Sequence, residues 1–352
     1  IYAYQGNRYT DRPSTPTYVI KSVATSTNQE SISFNISEFA KSFFTDDLSA
    51  SGTQANWNPF IDIFPKYTKS GKNFSSFPVF GVAYNGYGYF EDGVNPQMDS
   101  GLAQSNNKII AYSGRGFQFP VDPTVISRAV QQRDGETVNI TDFSSDITFS
   151  THALRSSASG LGNIIDLEDL AANSGSEYFY NQNAETFLDS SDSGADTVFL
   201  ERVDGGTETI QISYIKECKQ EPIKLTFTNK YGALQSVWFF KNNRVSMKVK
   251  EDSFRRNTLS QGIYSGQSHQ YKNLYKSGKQ SIELNSGFYP ESYNEVFRQM
   301  MLSQDVWLQI SDKVLPVNIS DSNIDFKTSI NDKLIEYSIK CDFAFDTINS
   351  IN

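Results

Sequence analysis

The chain alternates apolar and polar positions with the two-residue period of half-buried β-strands over most of its length. Near the start, "TYVIKSVATSTNQESISFNI" predicts two extended runs about a turn at Ser26-Thr27-Asn28. "SEFAKSFF" predicts one short helix, with Ser37 as its N-cap and Glu38 in the first turn. Residues 45–77 read as loop, rich in Ser, Asn and Gly. "FPVFGVAYNGYGYFEDG" then predicts a hairpin, with Asn85-Gly86 as a type I′ turn flanked by Val82, Tyr84, Tyr87 and Tyr89. "NKIIAYSGRGFQFPVD" and "ETVNITDF" add short strands. Residues 146–196 are the least regular part. "GNIIDLEDLAAN" suits a turn or two of helix, and "LDSSDSGAD" an acidic loop.

From Thr197 the pattern sharpens. "TVFLERVDGGTETIQISYI" predicts a hairpin about Asp204-Gly205-Gly206. In "PIKLTFT" Ile223, Leu225 and Phe227 share a face, and "NKYG" supplies a turn with Gly232 in the left-handed position. "RVSMKVK" is a further strand. "YPESYNEVFRQMMLS" changes period. Tyr293, Val296, Phe297, Met300 and Met301 form one helical stripe, so a helix over 290–303 is expected to face the core. "DVWLQI", "VLPVNI" and "DKLIEYSIKCDFAFD" follow as strands. In the last, Ile335, Tyr337, Ile339, Cys341, Phe343 and Phe345 line one face. The expected fold is mainly β, built of antiparallel β-sandwich domains. An N-terminal β domain spans 1–145, an irregular acidic region 146–196, and a C-terminal sandwich flanked by a single α-helix 197–352.

One stretch breaks the alternation. In Val237-Trp238-Phe239-Phe240 both faces of a strand are apolar. Trp238 and Phe240 share one face, Val237 and Phe239 the other. One helix stripe covers about one element's width, so the second face is expected to lie exposed and to form a subunit interface.

Charge is uneven. The net charge is −9, and the first 210 residues carry 13 basic and 25 acidic side chains against 18 and 15 in the remainder. An acidic half argues against sequence-specific nucleic-acid binding, which needs cationic phosphate contacts. High aromatic content (14%) with few charges (20%) suits an extracellular or virion-type β protein. No run of about 18 apolar residues appears anywhere in the chain, so no membrane partner is expected, and no signal-peptide pattern opens it.

Catalytic signals are poor. Cys218 and Cys341 form no CxxC pair and join no Cys/His cluster, so no zinc site is expected. Cys341 reads as a core filler, and a disulfide between the two is not favoured. Asp189, Asp192 and Asp196 miss calcium-loop spacing. His152 and His269 lie in polar loops, without a GxSxG elbow. "GRGF" and "SGLGN" lack the lysine of a phosphate loop. Glu91 and Asp92 are adjacent, so on a strand they point apart and cannot act as a glycosidase pair. No metal, cofactor or catalytic residue is expected. The sequons at Asn35, Asn73, Asn139 and Asn318 fit polar β composition. Tyr84, Tyr87 and Tyr89 could stack against sugars, although cross-strand ring packing explains the same pattern.

The segments "YNGYGYFEDGVNP", "ECKQEPIKLTFTNKYGALQSVWFFK", "LNSGFYPESYNEVFRQMMLSQDVWLQI" and "INDKLIEYSIKCDFAFDTINSI" resemble structural proteins of tailed bacteriophages, especially phages of Bacteroidetes hosts. The resemblance covers about half the chain and is densest after residue 200. It brings no functional residue with it. A sandwich flanked by one helix is similar to the building block of tail tubes, distal tail proteins and baseplate hubs. The resemblance implies a virion location, a non-enzymatic role in a homo-oligomeric tail or baseplate ring, and contacts with neighbouring virion proteins. The alternative is a host-surface glycan-binding or decoration protein that uses the tyrosines.

Overall fold

The computed structural model describes residues 1–4, 12–23, 32, 34–44, 59–69, 71–83, 85–93, 96, 101–113, 117–120, 125–142, 179–182, 195–257, 259–260, 262–264, 266–310, 313–321 and 334–347. The fold is mainly β, with antiparallel sheets and one C-terminal helix. A small sheet has the order β1 (Tyr2–Tyr4), β2 (Phe60–Ile63), β5 (Val79–Val82), and the short helix Ser37–Lys41 packs Ala40 against Ala3 and Ile61. Between β2 and β5 an exposed hairpin is made by β3 (Lys66–Lys69) and β4 (Lys72–Ser75).

The five-stranded sheet has the order β6-β12-β11-β8-β9. Its members are β6 (Lys108–Tyr112), β8 (Ile126–Arg133), β9 (Glu136–Asp142), β11 (Ala195–Arg202) and β12 (Thr207–Ile215). β7 (Phe117–Pro120) pairs separately with β10 (Phe179–Gln182). The expected division at 146–196 therefore does not separate two sheets, because strands from both sides of it lie in one. The β11–β12 hairpin forms as expected, with Gly205 at φ 88°. One pairing departs from the antiparallel rule: β12 and β6 run parallel. Asp196 is no loop residue. It is buried in β11, where it accepts from Tyr214 Oη at 2.8 Å and from Gln131 Nε2 at 2.6 Å, and pairs with Arg133 at 2.7 Å. Asp189, Asp192, Tyr84, His152 and "GNIIDLEDLAAN" lie outside the described residues.

The seven-stranded sheet has the order β14-β13-β19-β20-β21-β18-β15. It comprises β13 (Ile223–Thr228), β14 (Leu234–Phe239), β15 (Arg244–Arg255), β18 (Tyr271–Pro290), β19 (Val306–Ile310), β20 (Lys313–Ile319) and β21 (Leu334–Phe343). β21 alternates as predicted, with Ile335, Tyr337, Ile339, Cys341 and Phe343 inward. Phe345 lies beyond the strand and is exposed. β18 bends at a register shift between Asn285 and Phe288, where Gly287 takes φ 74°. There Phe240 N donates to Ser286 O at 3.2 Å and Lys241 N to Asn285 O at 3.1 Å. Those two bonds tie the end of β14 to β18, so six strands curl back on themselves. Closure removes an edge that would otherwise expose unpaired backbone.

The C-terminal helix, Asn294–Leu302, follows a 3₁₀ turn at Glu291–Tyr293. It buries Val296, Phe297 and Met300 as predicted, while Met301 is only half-buried. Phe297 stacks on Tyr337 at 3.8 Å and meets Tyr289 and Phe239 edge-on at 5.5 and 6.4 Å. Other expectations fail locally. Residues 17–23 form no strand, and Val19 and Val23 are exposed. Ser37 is the first helical residue rather than the cap, and its N–H donates to Asn35 Oδ1 at 3.1 Å.

Candidate functional site

Two sequence features were candidates, and the structure treats them differently from the sequence. Val237, Trp238, Phe239 and Phe240 are 1, 8, 1 and 3% exposed within the single chain. This corrects the expectation of an open apolar face. Phe239 meets the helix through Phe297, as expected. The other face is covered by the five-stranded sheet. Tyr112 of β6 packs its ring 5.7 Å from Trp238, and Ile110 and Ile215 join the same core. Tyr293 fixes that contact, since its hydroxyl accepts from Ile110 N at 2.8 Å and donates to Lys108 O at 3.0 Å. The missing cover is thus a second sheet of the same chain.

The tyrosine segment is no hairpin. β5 pairs with β2, and residues 85–89 carry no strand. Gly86 does not take the positive φ that a type I′ turn requires. The segment is laid instead against the turn at 229–232. Tyr87 N donates to Lys230 O at 2.9 Å, and a Cβ on Gly86 would sit 2.4 Å from that oxygen. Gly232, at φ 81°, faces it. A Cβ there would meet Asn85 N at 2.8 Å. Two glycines are therefore needed where two backbone turns touch.

The tyrosines then reach the helix. Tyr87 Oη donates to Gln299 O at 3.0 Å, and Tyr89 Oη to Glu295 Oε1 at 2.9 Å. Burial pushes both phenols above their ordinary range, most strongly Tyr89, where the Glu295 carboxylate adds to it. Arg298 lies 4.0 Å over the Tyr89 ring and pairs with Glu91 at 2.8 Å, and Lys230 is 5.6 Å from the same ring. Glu91 and Asp92 belong to a 3₁₀ turn, Phe90–Asp92, closed by Gly93 at φ 69°, so the strand-parity argument about them does not apply. The arrangement is a staple. Phenol hydroxyls, a guanidinium and a carboxylate hold an irregular segment to a helix, using groups that a bound sugar would have to displace.

Gln299 and Asn229 carry this junction, and neither stood out in the sequence. Both are fully buried. Gln299 Nε2 donates to Ser105 Oγ and Glu295 Oε1, while its Oε1 accepts from Lys230 N. Asn229 Oδ1 accepts from Tyr231 N and Ala233 N, and Nδ2 donates to Ala103 O. A polar residue on the apolar side of a helix, two positions after Phe297, was the available signal for Gln299.

Cys218 is exposed and Cys341 buried, and both are free thiols. Burial pushes the Cys341 thiol up to about 12, which suits a core filler and not a nucleophile. Among the described residues no helix is long and apolar enough to cross a membrane.

Among the described residues the most exposed element is an arm. β15 is exposed along all twelve residues, and among the described residues β18 from Tyr271 to Gln280 has β15 as its strand partner, with one further backbone bond from Thr347 N to Gly278 O at 2.8 Å. The short strands β16 (Leu259–Ser260) and β17 (Ile263–Tyr264) pair with each other between them. Val245, Met247, Val249, Phe254, Leu274 and Tyr275 are open to solvent on this ribbon, Leu274 to 77%.

No protein-family model matches the chain, and no curated protein matches it.

Proposed function

We propose that the chain is a non-enzymatic structural subunit of a tailed-phage virion, assembling as a homo-oligomeric tail or baseplate ring beside neighbouring virion proteins. The observation that carries this reading is the β15–β18 arm. A two-stranded ribbon is marginal in water on its own. This one exposes a run of aliphatic and aromatic side chains and, among the described residues, leaves one long strand edge unpaired, which is the form of an element that completes its contacts on another chain. A core that is covered from within gives the subunit independent stability, so assembly falls to the arm and not to Trp238. The segments resembling tailed-phage structural proteins supply the particle in which such a subunit would sit.

Fitting this fold into an electron-microscopy map of the particle that contains the chain tests the proposal. The expected result is a ring in the tail or baseplate with the arm in contact with a neighbour. Specific glycan binding by a monomer, lost on Tyr87→Ala and Tyr89→Ala, would replace it with host-surface recognition. Turnover of a polysaccharide would replace it with an enzyme.

A further inference from the structure

We infer that the free edge of β15 in one copy pairs with the free edge of β9 in the next, joining the two sheets into one across the subunit boundary. This deepens the ring reading and rests on it. The argument starts from strand order. In the five-stranded sheet the end strands are β6 and β9, and in the seven-stranded sheet they are β14 and β15. β6 and β14 contact each other inside the molecule, and β14 is tied to β18 as well. Among the described residues β9 and β15 are the long strands left with one neighbour each.

Their charges are opposite. Residues 134–142 hold Asp134, Glu136 and Asp142 and no basic residue. Residues 244–250, an equal length of strand to β9, hold Arg244, Lys248 and Lys250 and no acidic one. Like-charged edges oppose self-pairing, so β15 against β15 or β9 against β9 is disfavoured, while β9 against β15 is favoured. The same contrast holds at larger scale. The arm from 244 to 283 carries eight Lys or Arg against three Asp or Glu, in a chain of net charge −9. A second copy of this chain is therefore the partner whose charge complements the arm. Two different edges meeting make a head-to-tail contact, the kind that closes into rings. An antiparallel register places Lys250 opposite Glu136 and Arg244 opposite Asp142. The β8–β9 ladder itself shifts register between Gln131 and Gln132, so three neighbouring β15 positions are tested against Thr137.

Cysteine cross-linking of the whole chain tests the inference. In a Cys218→Ser background, one preparation carries Thr137→Cys on β9. A second, differently tagged, carries Lys248→Cys, Val249→Cys or Lys250→Cys on β15. Thr137 and the three β15 positions are all exposed, so the fold should tolerate the changes, and an unchanged melting temperature checks that. The expected result after mild oxidation is a mixed β9–β15 disulfide dimer for at least one of the three. Its yield should fall at least tenfold with Arg244→Glu added to the β15 preparation at the productive position. It should return with Asp142→Lys, the change opposite Arg244 in this register, added to the β9 preparation. Dominant β15–β15 dimers, or no mixed dimer at any position, overturn the inference. So does capture of the arm by anionic phosphatidylglycerol vesicles without mixed dimers. Light scattering separates the two levels. Oligomers without the mixed disulfide refute the edge pairing and leave the ring reading standing. A mixed disulfide in a chain absent from both tail and baseplate of the particle keeps the edge pairing and refutes the tail or baseplate role.

Discussion

β14 and β15 are separated by four residues and meet opposite fates. β14 is apolar on both faces and is covered on both, by the helix through Phe297 and by the five-stranded sheet through Tyr112. β15 alternates Val245, Met247 and Val249 with Arg244, Lys248 and Lys250, the pattern of a strand with one buried face, yet every residue is exposed. Apolar alternation states what a strand would gain from cover and not where the cover comes from. For β14 it comes from β6, more than a hundred residues upstream. For β15 the described residues supply β18 as its strand partner, and the pairing of β18 with β21 begins only at Ser281.

Truncation on the two strands should break the symmetry of their patterns most visibly. Phe239→Ala removes a ring from the core shared by helix and sheet, and should cost about 3–5 kcal/mol in denaturant unfolding. Phe297→Ala should cost the same order, because it empties the other side of that contact. A loss below about 1 kcal/mol for either would mean that this core is not formed.

Lys224 measures how dry the cover over β14 is. It lies on β13 directly opposite Trp238, and burial pulls its ammonium down from 10.5 to about 8. Below pH 8 the folded protein holds a buried charge, so the penalty is fully present there. Between about pH 8 and 10.5 the unfolded chain binds the proton that the folded protein has released, and stability should rise with pH. Lys224→Met should remove that rise and stabilise the protein at pH 7, by at most roughly 3 kcal/mol. Unfolding curves of both proteins at pH 7 and pH 10 read this directly. A destabilised variant with an unchanged pH slope would show the ammonium to be hydrated.

The bend in β18 is the next weak point, since it brings Ser286 and Asn285 to the end of β14. Gly287→Ala puts a Cβ on a residue at φ 74°, 3.3 Å from Lys241 Cε. The backbone conformation should cost about 1–2 kcal/mol. Hydrogen exchange at Phe240 and Lys241 should speed up with it. A loss of stability with unaltered exchange there would place the damage elsewhere than in closure.

Much of this was legible from local pattern. The helix stripe, the inward face of β21, the turn at Gly232 and the β11–β12 hairpin follow from periods of 3.6 and 2 and from glycine placement. What stayed hidden depends on pairing between distant segments. Asn85-Gly86 carries a strong local hairpin signal, yet Gly86 is used for close approach to Lys230 O. Asp196 ends an acidic loop in sequence, yet its carboxylate is met by Arg133, Gln131 and Tyr214 from two neighbouring strands. At the tyrosine segment the aromatic residues were visible, but their partners on the helix, Glu295, Arg298 and Gln299, lie about 200 residues away. No composition or spacing rule joins them.

The smallest effect on folding belongs to the arm. Val249→Thr keeps the β-branched shape and removes apolar character from a side chain that touches solvent. Its effect on unfolding of the dilute protein should stay within about 0.5 kcal/mol. The same change should matter at high concentration if the arm is an assembly element, because apolar surface that is idle in a monomer is covered in an oligomer. Apparent mass by light scattering should therefore fall for Val249→Thr with Met247→Ser while dilute stability holds. Phe239→Ala should show the reverse: a large loss of stability, and assembly changed only as far as folding is. A destabilisation above about 1.5 kcal/mol from Val249→Thr in dilute solution would mean that the ribbon folds back on its own chain. The contrast between β14 and β15 would then vanish, since both strands would be covered from within.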